Sequence, residues 1–185
     1  MNDSAQSVQN QPSFADSLET GTPSAQAYSP HWPEIAARLD TLTKEIAVAL
    51  AARAGYLYIL DLRRQWLLPY FSWPVRANKA HFTAQAIGQG VAGLAAQSKQ
   101  PVRVDNLKND KPTEADWPHH TALAVPLIVA PTEPPVGVLV VADKIDQPTF
   151  SPQDEQLLIS LVNQSNIALI IENANLSRQK RDRSQ

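Results

Sequence analysis

The stretch Ile87–Asp110, IGQGVAGLAAQSKQPVRVDNLKND, decides the fold of this chain. Glycines free the backbone for a tight turn and close packing, and they stand at Gly88, Gly90 and Gly93. The next residues place apolar side chains at helical spacing, and Gln100–Pro101 ends that helix because the residue before a proline is pushed out of the α region. Alternation over 102–104 then indicates a short, half-buried strand. The stretch therefore predicts a glycine turn, a short helix, a strand and a polar loop.

The same glycines also match the pattern G-x-G-x-x-G, and Asp105 closes the strand that follows, as in a dinucleotide-binding fingerprint. That fingerprint requires a helix that crosses back over a parallel sheet within a unit of about 30 residues. Only seven residues separate Gly93 from Pro101. We therefore interpret the glycines as a tight turn.

This stretch resembles the middle of GAF domains, where a G-x-G-hydrophobic-x-G turn and a short helix precede a P-V-hydrophobic-hydrophobic-x-D strand. The C-terminal half resembles them too, through VGVLVVADK at 136–144 and the segment at 150–176. The resemblance implies an α+β fold with a central antiparallel sheet of five to six strands. It places the N- and C-terminal helices on one face, with loops and short helices over the other. Because GAF domains serve many unrelated signals, the resemblance leaves the ligand open.

Composition narrows the class of protein. The 185 residues carry a net charge of −2 and no cysteine. This small net charge does not indicate general binding to nucleic acid. The absence of cysteine excludes disulfides, thiolate metal sites and covalent chromophore attachment through a thiol. There is no run of 18 apolar residues and no signal-like N-terminus. We therefore expect a soluble cytoplasmic protein that binds neither a membrane nor nucleic acid.

Three segments are predicted along the chain. Residues 1–29 contain few large apolar side chains and no Lys or Arg, so they are expected to be a disordered tail. Residues 30–176 are expected to form a single domain, and 177–185 a basic C-terminal tail.

Apolar periodicity predicts the elements of that domain. A helix is expected over Pro33–Arg53, and one long last helix from Ser151 to about Leu176, with Ser151 as its N-cap and Pro152 at the first helical position. Prolines at 69 and 126 indicate a bulge or an edge position in their strands. The other strands are expected at Gly55–Asp61, Trp66–Trp73, His81–Ile87, Thr121–Ala130 and Val136–Lys144.

The loop Asn106–His120 is long for a compact domain, and such loops are often functional. We predict that Trp117, His119 and His120 line or cover a pocket, which the resemblance implies lies between the sheet and the loops. Tyr70, Trp73 and Asp105 are further candidates for that pocket. Adjacent histidines on one segment point apart, so no metal site is expected, and the ligand is a non-covalent small molecule of unknown identity.

A second set of residues resembles a pattern of cyclic-nucleotide-binding GAF domains, namely Asn-Lys, a gap, Phe, three residues and Asp-Glu. Here Asp replaces the Asn, in the set Asp143, Lys144, Phe150, Asp154 and Glu155. A nucleotide site is one interpretation. We favour a structural one, in which Lys144 and Asp154 form an ion pair between the strand end and the helix start, with Phe150 buried beneath it.

The terminal helices are predicted to build a homodimer. Apolar residues recur in the first helix at the four-three spacing of a coiled-coil seam, and the last helix is predicted to be longer than a small sheet requires. The expected interface residues are Ile35, Leu39, Leu42, Ile46, Leu161 and Leu169.

No enzyme motif is present: there is no G-x-S-x-G elbow, P-loop or H-E-x-x-H sequence. Family enzymes that reduce free methionine sulfoxide use cysteines, which this chain lacks. We therefore expect a non-enzymatic sensing or regulatory module that passes its response through the terminal helices to a separate signalling protein. The alternatives are a ligand-free dimerisation or protein-interaction module, and a cyclic-nucleotide receptor.

Overall fold

The computed structural model describes residues 32–61, 65–74, 83–107 and 117–182, without the side chains of 177–182. The predicted tail over 1–29 lies outside these residues, as does the start of the predicted strand at His81.

Within these residues the chain forms four helices and six strands, and the predicted α+β fold is confirmed. All strand pairs are antiparallel, in the order β3-β2-β1-β6-β5-β4. The elements are α1 Trp32–Ala49, β1 Ala52–Leu60, β2 Trp66–Trp73, β3 Gln85–Ala86, α2 Gly90–Ser98, β4 Val102–Val104, β5 Ala122–Leu127, β6 Gly137–Lys144, α3 Pro152–Ser165 and α4 Ile167–Asp182.

The sheet is buried on both faces, and the two faces are covered differently. On the face that we call the helix face, Leu57, Leu139 and other strand residues pack against α1, α3 and α4. On the opposite face, which we call the loop face, Tyr56 and Val140 pack with α2 and with the segments around Leu107 and Trp117. The near-continuous apolar sequences of β1 and β6 follow from this double coverage.

The glycine turn and the short helix are as the sequence predicts. Gly88 has a left-handed φ of 83°, and α2 spans nine residues before Lys99 ends it. A Cβ added to Gly93 would lie 2.2 Å from the backbone oxygen of Ala86, so only glycine allows this approach. The antiparallel sheet and short helix do not match the dinucleotide fingerprint.

Two prolines lie at positions where their strand pairs with only one neighbouring strand. Leu57 and Tyr58 of β1 face Phe71 and Pro69 of β2. A bulge in β2 therefore leaves Tyr70 outside the register. The bulge predicted beside Pro69 is therefore present. Pro126 keeps the regular register of β5 with β6, so the bulge that the sequence predicts there as one alternative is wrong. Pro126 lies beyond the residues of β5 that pair with β4.

The predicted end of the first helix at Arg53 is wrong. The helix ends at Ala49, Ala51 adopts a left-handed φ of 49°, and Arg53 already belongs to β1. Alanine is the strongest helix former and rarely adopts this conformation, so residue type alone does not predict the stop.

The prediction of one continuous last helix is also wrong. Asn166 has a left-handed φ of 55° and caps α3, and the axes of α3 and α4 differ by 45°. Asparagine is among the few residues that adopt this conformation at low cost. Within the described residues no single helix is long and apolar enough to span a membrane, and only this bent pair passes that test of length and composition.

The predicted dimer seam on α1 faces its own sheet. Leu39 and Ile46 are 0% and 4% exposed, so their assignment to a dimer interface is wrong. Ile35, Leu42 and Leu161 pack partly against the same core. Leu169 alone among the six predicted interface residues is exposed, at 47%.

We expect Gly93→Ala to destabilise the domain by about 3 kcal/mol, since the new methyl group meets a backbone oxygen that cannot move freely. The melting temperature should fall by roughly 6–12 °C, as measured by circular dichroism. Ser98→Ala, in an exposed turn of the same helix, is the control and should change stability by less than about 0.5 kcal/mol. A melting temperature for Gly93→Ala equal to that of the wild type would contradict the close approach.

Candidate functional site

A chain of three hydrogen-bonded side chains crosses the loop face. The hydroxyl of Tyr56 in β1 lies 2.5 Å from Nε2 of His119, and Nδ1 of His119 lies 2.7 Å from Oδ2 of Asp143 at the end of β6. Tyr56 and His119 are buried in the otherwise apolar surroundings of this face. The chain thereby ties the segment before β5 to two central strands.

Asp143 is the ionised end of this chain. Its Oδ1 atom accepts hydrogen bonds from the backbone N–H groups of His120 at 2.8 Å and Thr121 at 3.1 Å. Burial by itself raises the pKa of Asp143, but the hydrogen bonds from His119 and from the two N–H groups outweigh it and hold the pKa below its usual range. An ionised Asp143 requires a proton on Nδ1 of His119.

Tyr56 is the neutral end of the chain. Burial, together with the nearby charge of Asp143, raises the pKa of the Tyr56 phenol far above its usual value of about 10. The hydroxyl therefore keeps its hydrogen at neutral pH. In the tautomer that carries its hydrogen on Nδ1 of His119, Nε2 accepts this hydrogen from Tyr56.

Trp117 completes a group of three mutually contacting rings. Its ring centroid lies 5.4 Å from that of Tyr56 and 5.0 Å from that of His119. Nε1 of Trp117 is buried and has no hydrogen-bond partner. We refer to Tyr56, Trp117, His119 and Asp143 as the site cluster.

A second polar pair lies on the same face, two residues along β1. Nε2 of Gln85 donates to the Tyr58 hydroxyl at 3.1 Å. Oε1 of Gln85 and Oγ1 of Thr121 are buried without a hydrogen-bond partner. Buried polar atoms are usually paired with protein or water, so Nε1 of Trp117 and Oε1 of Gln85 are unsatisfied polar atoms among the described residues of the loop face.

The backbone at Asp143 connects the two faces of the sheet. Asp143 has a left-handed φ of 50°, and the alternation of side chains changes there. Ala142 lies in the loop-face cluster, Asp143 contacts the site cluster, and Lys144 reaches Asp154 at the start of α3. Aspartate and asparagine tolerate this conformation better than most residues, which explains why either type suits the position.

The ion pair predicted between Lys144 and Asp154 is present in the structure. Both side chains are 11% exposed, and the Lys144 ammonium lies 6.0 Å from the ring centroid of the buried Phe150. Asp154 also accepts hydrogen bonds from Ser151, whose hydroxyl caps the helix in return. Burial acts to raise the pKa of Asp154, but the hydrogen bonds from Lys144 and Ser151 lower it overall.

The six predicted pocket residues do not form one group. Trp117 and His119 meet in the site cluster. Tyr70 and Trp73 pack on the helix face instead, because the bulge in β2 turns this part of the strand, and Tyr70 contacts the ring of Trp32. Asp105 is exposed. His120 is also exposed and contributes its backbone N–H to Asp143.

Two members of the site cluster were not predicted in this role. The sequence predicts Tyr56 only as part of a strand and Asp143 only as part of the structural motif. A signal was available for Tyr56, since a buried tyrosine in an apolar strand requires a partner for its hydroxyl. Within the described parts of the chain, no group of three His, Asp or Glu residues is arranged to hold a metal ion.

Comparison with known proteins identifies the family. A family model described as the GAF domain matches residues 34–169. The match covers most of the chain, which therefore belongs to the GAF domain family, a family of regulatory and sensing domains. No curated protein sequence matches the chain significantly.

Solved structures support the same fold. The GAF domain of a phosphoenolpyruvate-protein phosphotransferase from Acinetobacter is 25% identical, with a TM-score of 0.63 over 77% of this chain and 84% of that one. A free methionine-R-sulfoxide reductase from Neisseria meningitidis, solved with its substrate, is 20% identical, with a TM-score of 0.62 over 77% and 80% of the two chains. The GAF-B domain of DevS from Mycobacterium smegmatis is 18% identical, with a TM-score of 0.60 over 79% and 98%.

We expect Tyr56→Phe to cost about 1–3 kcal/mol, because it leaves Nε2 of His119 buried without a donor. Asp143→Asn keeps the backbone conformation but forces the other tautomer of His119, so its effect and that of Tyr56→Phe should not add. Chemical denaturation of both single variants and the double variant measures this coupling. Additive losses would show that the three side chains do not act as one chain.

We expect Asp154→Ala to lower stability at pH 7 by about 3–5 kcal/mol, because it leaves the Lys144 charge buried without its partner. The neighbouring variant Glu155→Ala removes only a 3.9 Å contact with Arg103 and should cost less than about 1 kcal/mol. Equal losses from the two variants would contradict a special role for Asp154.

The pH dependence of the same comparison follows from the lowered pKa of Asp154. A carboxyl group whose pKa is lower in the folded than in the unfolded protein stabilises the fold at pH values above its unfolded-state pKa, which is about 3.9 for Asp. This stabilisation is lost as the pH falls through the folded-state pKa. The difference between wild type and Asp154→Ala should therefore shrink below about pH 4.

Proposed function

We propose that this GAF domain is a non-enzymatic sensor that binds a small molecule at the site cluster and reports its presence to the terminal helices. The observation that supports this most is the position of Asp143 and Lys144. These two neighbours in the chain belong to hydrogen-bond networks on opposite faces of the sheet. The loop face and the start of α3 thus share one short piece of backbone.

The unpaired indole N–H of Trp117 supports a ligand that carries a hydrogen-bond acceptor. A buried donor without a partner costs free energy, and an acceptor on a bound molecule removes that cost. Oε1 of Gln85, beside Tyr58 on the loop face, offers a further polar contact. The surrounding rings and apolar strand residues add dispersion contacts to a flat or apolar part of the ligand.

The charges of the site cluster favour an uncharged ligand. Asp143 is negative, and its oxygens already accept hydrogen bonds from three donors. The described hydrogen bonds and ring contacts of the cluster involve no lysine or arginine. An anionic ligand would therefore bring a second negative charge close to the Asp143 carboxylate.

The route to the helices is a chain of direct contacts. A ligand that shifts His119 acts on Asp143, whose left-handed backbone fixes the direction of Lys144. Lys144 holds Asp154, and Asp154 with Ser151 forms the capping box of α3. A change at the site cluster is thus passed to the first turn of α3 without movement of the whole sheet.

The same arrangement argues against the other functions considered. The tyrosine phenol stays protonated because of its raised pKa, which makes it a poor nucleophile, and the chain has no cysteine. In the motif that resembles cyclic-nucleotide binding, Lys144 and Asp154 are paired with each other, and Phe150 belongs to the helix-face core. These contacts favour the structural interpretation of the motif.

The test begins with native mass spectrometry of the purified protein, which should detect a retained small molecule. Calorimetry with the released compound should then show about 3–10-fold weaker binding to Trp117→Phe, which keeps a ring but loses the N–H donor. Trp73→Phe, on the helix face, is the matched control and should bind like the wild type. Hydrogen exchange in the first turn of α3 should slow when the compound is added.

Three outcomes would contradict the proposal. Unchanged affinity for Trp117→Phe would place the ligand elsewhere. Micromolar binding of cAMP or cGMP that is lost in Asp154→Ala would support the cyclic-nucleotide alternative. A protein that retains no compound, and whose melting temperature no compound of a screening library raises, would be the ligand-free module.

A further inference from the structure

We propose that Tyr56 is a redox-active tyrosine, which gives one electron to an outer-sphere oxidant while its phenol proton passes to His119. This activity needs no bound ligand and is separate from the sensor function proposed above. Its basis is the hydrogen bond of 2.5 Å between the Tyr56 hydroxyl and Nε2 of His119. A phenol becomes a strong acid when it loses an electron, and a base within hydrogen-bond reach is positioned to take its proton. Such a phenol is therefore oxidised more readily than one without a base.

Transfer of the proton to His119 is the route that the structure favours. Burial and the nearby charge of Asp143 raise the pKa of Tyr56 far above its usual value, so the phenol keeps its proton until it is oxidised. In the tautomer that carries its hydrogen on Nδ1, Nε2 of His119 is the nitrogen that accepts a proton. The imidazolium that results keeps its hydrogen bond of 2.7 Å to the Asp143 carboxylate, which stabilises the new positive charge.

The proposed step balances in atoms and in charge. Tyr56 loses one electron, the O–H bond of its phenol breaks, and a new N–H bond forms at Nε2 of His119. The products are a neutral phenoxyl radical and a positive imidazolium beside the negative carboxylate of Asp143. The oxidant is reduced by one electron. When the radical is reduced again, the proton returns along the same hydrogen bond.

Trp117 offers the route by which the electron leaves. Tyr56 is only 2% exposed, so a bulky oxidant does not reach its ring. The Trp117 ring is half-buried, and its centroid lies 5.4 Å from that of Tyr56. An oxidised indole is neutralised either by loss of its N–H proton or by an electron from a neighbour. Among the described residues Nε1 of Trp117 has no hydrogen-bond partner to take that proton, which favours an electron from Tyr56.

Tyr58 provides an internal comparison for Tyr56. It is fully buried in the same strand and on the same face of the sheet. Its described partner is Nε2 of Gln85, which donates to the Tyr58 hydroxyl at 3.1 Å, and an amide N–H gives a hydrogen rather than taking one. The chain has no cysteine, so no thiol of this protein competes as the electron donor. We therefore expect the radical to settle at Tyr56 rather than at Tyr58.

Oxidation of the full chain by tris(bipyridine)ruthenium(III), generated by a light flash, tests the proposal. Samples frozen after the flash should show a tyrosyl radical by electron paramagnetic resonance. Tyr56→Phe should lose most of this signal, whereas Tyr58→Phe, the matched control, should keep it. His119→Gln retains a hydrogen-bond acceptor but no base, so radical formation should slow at least about tenfold, since a positioned base contributes roughly 10²–10⁴-fold. In the wild type, formation should be slower in D₂O than in H₂O, because a proton moves in the step.

A second measurement uses the wild type alone and covers the case in which these variants fail to fold. The protein is prepared with histidine labelled with the heavier nitrogen isotope. Pulsed electron paramagnetic resonance should then show coupling between the unpaired electron and a histidine nitrogen, because the Tyr56 hydroxyl is bonded to His119.

A tyrosyl signal that Tyr56→Phe leaves unchanged would overturn the proposal. So would a wild-type radical that is confined to tryptophan or that shows no coupling to histidine. None of these results depends on a small molecule at the site cluster, so a failure here is distinct from a failure of the sensor proposal.

Discussion

The left-handed backbone at Asp143 is the constraint on which the functional arrangement depends. A regular strand would alternate Ala142, Asp143 and Lys144 between the faces, so Asp143 would point towards the helices. The φ of 50° turns its carboxylate back to His119 and leaves Lys144 free to pair with Asp154. Such a conformation costs about 1–3 kcal/mol for a residue other than glycine. Three hydrogen-bond donors to the Asp143 carboxylate and the cap of α3 on the helix face together offset that cost.

Much of the fold was predictable because its signals are local. The glycine turn, the N-cap at Ser151 and the apolar sequences of the central strands each depend on a few neighbouring residues. The errors fall where the backbone turns left-handed without glycine, at Ala51 and Asn166. Alanine in particular gives no local warning of a helix stop. The surrounding structure, through the pairing of β1 with β6, decides these positions.

The candidate site was predicted less completely, because its contacts are distant in sequence. Tyr56 and His119 are 63 residues apart, and His119 and Asp143 are 24 apart. Their meeting depends on strand order and register, which a single sequence does not specify. Trp117 and His119 were found because a long loop rich in aromatic and titratable residues is often functional. Tyr70 and Trp73 were misplaced because the bulge at Pro69 changes the face to which β2 directs its side chains.

The start of α3 is the point at which the proposed sensor meets the terminal helices. The site cluster reaches this point through Asp143 and Lys144, which contacts Asp154 in the capping box. A small shift of the capping box would move α3 as a unit, because packed helices move as rigid elements. The first helix offers no comparable route, since its apolar side is buried in its own core. In the proposed sensor, we therefore expect the output to pass through α3 and α4.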